Sequence, residues 1–153
     1  MSNKTTFIGH RILLPSSIQQ LLKSAIENKI KSGCKNFIVG SHGEFDKTVL
    51  DVLLTLKNIY PEIQIEVVIT NYNPKTQNEI IIKENPKYET VMFEIEDLHP
   101  KQRITASNKQ MIDGCDTLIC YVCPNSWRSG SKTALNYATK KGLKIVNLYS
   151  PEI

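Results

Sequence analysis

Residues able to do chemistry crowd into three short segments of this chain. The densest is Trp127-Arg128-Ser129-Gly130-Ser131-Lys132-Thr133, where two cations, three hydroxyls and a glycine stand just ahead of a run with helical apolar spacing. Free backbone N–H groups at a helix start, with cations beside them, attract an anion, so this is the strongest anion-site candidate in the chain. It is not a Walker P-loop, because the fifth residue before Gly130 is Asn125 and the loop requires glycine there. Trp127 could stack on a base, or serve equally as a lid or an oligomer contact. The second segment, Gly40-Ser41-His42-Gly43-Glu44-Phe45-Asp46, joins two glycines to another helix start and could cradle a phosphate. Ser41 and Glu44 could instead only cap that helix as a capping box. Asp46 could accept from ribose hydroxyls or merely complement the helix dipole. The third is Gly9-His10-Arg11, where glycine would let backbone approach a ligand and Arg11 could fork onto a phosphate or carboxylate. A plain surface arginine fits Arg11 as well, and His10 could bond a base or ribose or simply end a strand.

The elements that must hold these segments follow from hydrophobic periodicity. Residues 5–9 form a short apolar strand, and Ile18, Leu21, Leu22, Ala25, Ile26 and Ile30 fall on one face of a helix that Gly33 ends. A strand over 36–40, a helix over about 47–60 and a strand over 63–70 repeat the unit. The last strand is dense in Ile and Val with little polar alternation, as expected when helices cover both faces of a sheet. Residues 71–87 are polar, carry Pro74 and Pro86, and read as a long connection. A strand over 90–93, a helix over 101–112, a strand over 116–122, a helix over 132–142 and a strand over 144–149 complete the chain. The expected fold is a single α/β domain over 1–153, Rossmann-like and three-layered, with a mostly parallel sheet and helices on both faces. Ligands of such sheets bind beyond the carboxyl ends of the strands, so the site should lie in the turns over 10–16, 41–46 and 124–132.

Composition narrows the function. With 153 residues, 41% of them hydrophobic, the chain fits one core. A formal charge of +4 suits a local phosphate site but falls short of a nucleic-acid surface. The N-terminus lacks a signal peptide's apolar run, and no stretch approaches the roughly 20 apolar residues of a membrane span, so a cytoplasmic protein is expected. Cys34, Cys115, Cys120 and Cys123 sit in apolar segments and read as buried thiols; in a strand, Cys120 and Cys123 would face opposite ways, which suits neither zinc nor a redox pair. No G-x-G-x-x-G, H-E-x-x-H or G-x-S-x-G occurs, so the sequence names no dinucleotide cofactor, catalytic metal or nucleophile.

Taken in order, Thr6-Phe7-Ile8-Gly9-His10-Arg11, Gly40-Ser41-x-Gly43-x-x-Asp46, Asn108-Lys109-Gln110-Met111-Ile112-Asp113-x-x-Asp116 and Ser129-Gly130-Ser131-Lys132-Thr133-Ala134 resemble the SLOG superfamily. That superfamily is named after the Smf/DprA proteins and the cytokinin-activating LOG enzymes. The resemblance is to its small stand-alone bacterial and phage members and spans roughly the whole chain. It implies a Rossmann-like fold, a site for nucleotide-like ligands that includes Asn108, and a homodimer or higher homo-oligomer. LOG enzymes carry Pro-Gly-Gly-x-Gly-Thr-x-x-Glu. Here Ser129-Gly130 stand at the paired glycines, Lys132 replaces the third glycine, Thr133 is kept, and Asn136 occupies the position of the catalytic glutamate. An amide cannot act as a carboxylate base. The related small proteins usually have Arg-Asn before the helix methionine, whereas this chain has Ser107-Asn108.

Three functions compete. A sensor or sequestering protein for a nucleotide-derived signal follows from the phosphate-suited turns and the lost carboxylate. Some SLOG domains are receptors for cyclic ADP-ribose-type signals in antiphage defence, so a stand-alone copy could act as a sponge in defence or anti-defence. A LOG-like N-glycosidase would need Asp46, Glu44 or Asp113 in place of the missing glutamate. A DprA-like DNA-handling role is disfavoured by the small charge and the lack of an aromatic-basic stripe.

Overall fold

The structure, a computed structural model, describes residues 3–9, 14–41, 43–69, 88–92, 100–123 and 130–149. Within them, six strands and four helices succeed one another: β1 (Lys4–Gly9), α1 (Ile18–Lys31), β2 (Asn36–Val39), α2 (Gly43–Ile59), β3 (Gln64–Ile69), β4 (Glu89–Met92), α3 (Pro100–Asp113), β5 (Thr117–Tyr121), α4 (Gly130–Lys141) and β6 (Lys144–Asn147). The strands form one sheet in the order β4-β3-β2-β1-β5-β6, every pairing parallel. This is the expected Rossmann-like three-layer architecture.

Alternation along the strands sorts their side chains into two cores. Phe7, Phe37, Val39, Ile65, Val67 and Ile119 pack with the buried stripes of α1 (Ile18, Leu22, Ile26, Ile30) and α2 (Phe45, Val49, Val52, Leu53, Leu56). Ile8, Ile38, Val68, Leu118 and Cys120 turn the other way, toward Met111 and Ile112 of α3 and Ala134 and Ala138 of α4. The small residues on α4 let that helix lie close to the sheet. Two of the helices end in the same way. At Gly33 (φ +106°) the glycine N–H donates to Ile30 O and the Cys34 N–H to Lys29 O; at Gly142 (φ +85°) the same pair runs to Thr139 O and Ala138 O. Both are Schellman closures, which need a residue in the left-handed region.

Element boundaries differ from expectation most at α2. It begins at Gly43, a turn earlier than residue 47, because Phe45 is buried (1% exposed) and pulls the first turn into the core. The capping-box reading of Ser41 also gives way: with the helix starting at Gly43, Ser41 stands ahead of the N-cap position, and its hydroxyl donates to the Val68 carbonyl (2.7 Å), tying the end of β2 to β3. Helix α4 likewise starts at Gly130 rather than 132, so Gly130 to Thr133 form its first turn. The connection over 71–87 lies outside the described residues.

Among the described residues, one buried side-chain polar atom has no partner. Thr6 Oγ1 on β1 is fully buried without a hydrogen bond, a loss of roughly 1–3 kcal/mol for an unmatched hydroxyl. Thr6→Val keeps the branched shape and removes the orphan, and it should raise stability by about 1 kcal/mol in urea denaturation. An unchanged or lower midpoint would mean that the hydroxyl is satisfied in solution.

Candidate functional site

From β1 the chain steps outward through β2, β3 and β4, then returns to the other side of β1 as β5. Strand order therefore reverses between β1 and β5, and the helices that follow these two strands leave toward opposite faces. Beyond Gly9 and Tyr121, paired at the carboxyl ends of β1 and β5, lies the position at which sheets of this kind receive ligands in a crevice.

Gly9 is where the two layers meet. On one side, a Cβ at this position would lie 2.3 Å from Cγ of Phe45 and 2.5 Å from both Cδ atoms. The absent side chain is thus occupied by the α2 ring, so Gly9 makes room for packing rather than standing open to a ligand. On the other side, the Ser131 hydroxyl donates to the Gly9 carbonyl (2.8 Å) and fixes the first turn of α4 against the end of β1. The first and third segments singled out in the sequence are joined by this bond.

The two helix starts beside the crevice differ in charge. The first turn of α4 carries no acidic residue and includes the half-buried Lys132, so its N–H groups and dipole can hold an anion. The first turn of α2 already carries Glu44 and Asp46, which repel one. Asp46 leans over the end of β2, its Oδ2 2.8 Å from where a Cβ of Gly40 would be. A carboxylate there suits hydroxyl donors such as those of a ribose. Of the two helix starts offered by the sequence, that of α4 is the one without an acidic residue in its first turn.

Gly130 has nothing within 4 Å of a Cβ position. With Thr133 and Asn108 it lines a shallow cleft between α3 and α4, bounded by Lys109 and Tyr137. Asn136, at the LOG glutamate position, is exposed in the second turn of α4. Asp113 lies at the far end of α3, where it accepts from the Tyr137 hydroxyl (2.6 Å) and pairs with Lys141 (3.4 Å). That end of the helix leads into the start of β5, away from the strand carboxyl ends, so Asp113 is not placed to replace the missing glutamate. Glu44 is exposed on α2. His10, Arg11, His42, Trp127, Arg128 and Ser129 lie outside the described residues. Among the described residues, no group of three or more His, Cys, Asp or Glu side chains is arranged to hold a metal ion, and no helix is long and apolar enough to cross a membrane.

Two features near the site were not singled out in the sequence. Asn147, the last residue of β6, bonds through its side chain to both backbone groups of Val122. Tyr149 meets Tyr121 edge-on (5.5 Å between ring centroids, 64° between planes). Its hydroxyl also bonds Cys123, which holds its pKa above the usual tyrosine value. A polar residue closing a strand and a tyrosine near the end of the chain are ordinary in sequence, and nothing in their spacing distinguishes them.

Fold and site together define a Rossmann-like α/β domain in which a helix start without acidic residues in its first turn lies beside the reversal of strand order. No family model matches the chain, and no curated protein matches it in sequence.

Proposed function

We propose that this domain binds a nucleotide or nucleotide-derived signal of the ADP-ribose or cyclic ADP-ribose type, as a sensor or a sequestering protein. The observation that carries the reading is the Ser131–Gly9 bond, which sets an acid-free helix start at the point where strand order reverses. In this reading a phosphate lies on the N–H groups at the start of α4, with Lys132 in the same turn. Asp46 takes ribose hydroxyls, and Asn108 contributes from α3. The SLOG resemblance supports the ligand class, a homodimer or higher homo-oligomer, and a setting in phage defence or anti-defence. The amide at Asn136 favours holding the ligand over cleaving it.

Titration calorimetry with ADP-ribose, cyclic ADP-ribose and cyclic mononucleotides tests the proposal; absence of heat from all of them at high micromolar concentration would reject it. Gly130→Ala separates site from scaffold. A Cβ there meets open space, and alanine favours helix over glycine by up to about 1 kcal/mol. The variant should be as stable as the parent or slightly more so, yet bind ADP-ribose more weakly because the added methyl stands where backbone approaches phosphate. Equal affinity would move the phosphate elsewhere.

The carboxylate of Asp46 at the crevice also supports a second reading, a nucleoside-phosphate N-glycosidase. Incubation with nucleoside monophosphates, followed by chromatography, distinguishes the two: free base identifies the enzyme, and intact nucleotide identifies the binder.

A further inference from the structure

We infer that Asn147 is a positioning residue for the nucleotide site, setting where the chain leaves β5 on its way to the anion-binding turn of α4. The inference rests on the binding proposal above for its ligand, but its geometry is independent of it.

In the β5–β6 ladder, Cys120 is paired with Asn147 and the Leu148 N–H donates to the Cys120 carbonyl (2.7 Å). A regular parallel ladder would next carry the Val122 N–H to the Leu148 carbonyl. Here the Val122 N–H donates to Asn147 Oδ1 (3.2 Å), and Asn147 Nδ2 donates to the Val122 carbonyl (2.9 Å). The same Oδ1 also accepts from the Tyr149 N–H (3.1 Å). Two donors on one end and an acceptor at the other allow a single orientation of the amide. The side chain thus takes the place of a strand rung. It satisfies the backbone of Val122, which is fully buried, while β6 is released from pairing.

The consequence reaches the site through the chain. The segment from Cys123 to Gly130 has both ends pinned by a side chain on backbone: Val122 by Asn147, and the first turn of α4 by the Ser131–Gly9 bond. Aspartate at 147 would keep both acceptor bonds but set a carboxylate oxygen against the Val122 carbonyl. Alanine would leave both Val122 groups without partners.

The sole tryptophan of the chain, Trp127, lies between the two pins and reports on the connection without any ligand. Acrylamide quenching of its fluorescence should differ from that of the parent in Asn147→Ala, in Asn147→Asp and in Ser131→Ala, at temperatures where circular dichroism shows each protein folded. Affinity for ADP-ribose should fall about tenfold in the Asn147 variants, the loss expected when a supporting hydrogen bond is removed. If Asn147→Ala does not fold, Asn147→Asp gives the same readings. Unchanged quenching together with unchanged affinity in a folded Asn147 variant overturns the inference. Altered quenching in a protein whose parent does not bind ADP-ribose upholds the positioning role and rejects the ligand assignment instead.

Discussion

Gly9→Ala should destabilise the domain by about 3 kcal/mol, the upper part of the range for forcing a methyl into a filled interior. The new Cβ would sit 2.3 Å from Cγ of Phe45, far inside contact distance, and the ring cannot swing clear. It is 1% exposed and enclosed by the α1–α2 core, while the backbone at Gly9 is held between β5 on its outer edge and Ser131 at its carbonyl. Either the first turn of α2 must lift or the end of β1 must shift. A urea titration would show the midpoint falling with little change in slope. The double variant Gly9→Ala/Phe45→Leu tests the cause: leucine frees space over the strand end, so the two changes together should cost less than the sum of each alone. Strict additivity would place the strain elsewhere.

Cys115 and Cys120 should resist alkylation in the folded protein by about a thousandfold relative to exposed thiols, while Cys123 labels first. Burial pushes both thiols up from 9.0 to about 12, and below pH 9 that change lowers the reactive thiolate share about a thousandfold. At Cys115 the nearby Lys4 opposes the effect without cancelling it. Mass spectrometry after timed iodoacetamide pulses at pH 8, with and without denaturant, measures the contrast. Stability follows with a definite sign. The folded state holds these protons more tightly than the unfolded chain does, so the contribution is complete below pH 9. It is lost progressively as pH rises from about 9 through about 12. Rapid labelling of all thiols under native conditions would contradict the burial on which both statements depend.

Much of the architecture was legible in the residues because local signals and tertiary demands agree. Gly33 reads as a helix end and is one, since the Schellman closure there needs its left-handed backbone. The Ile- and Val-rich run ending at Ile69 reads as a strand covered on both faces, and Val67 and Val68 do enter opposite cores. The sequence misleads where a residue serves a partner far away in the chain. Gly9 followed by histidine and arginine suggests ligand approach, yet the space it leaves is taken by Phe45 of α2. Ser41 with Glu44 has the spacing of a cap, but the helix starts at Gly43, which leaves Ser41 ahead of the N-cap position with its hydroxyl donated to Val68. Asn147 carries no signal at all, because its role exists only once β5 lies beside β6. That the segment over 130–133 opens a helix is legible from its composition; that it alone of the two helix starts lacks acidic residues follows only once the α2 start is placed at Gly43.

The pairing of β1 with β5 also orders events during folding. β1, β2 and β3 with α1 and α2 can assemble from neighbouring stretches of chain, whereas the second edge of β1 waits for residues near the other terminus. Loop closure over such a distance is slow, and until it occurs Thr5 to Ile8 present an open strand edge. The crevice is built on that same seam, through Gly9 and Ser131. If the domain binds as proposed, competence is gained with the pairing of β1 and β5, and a ligand present during refolding would favour that closure.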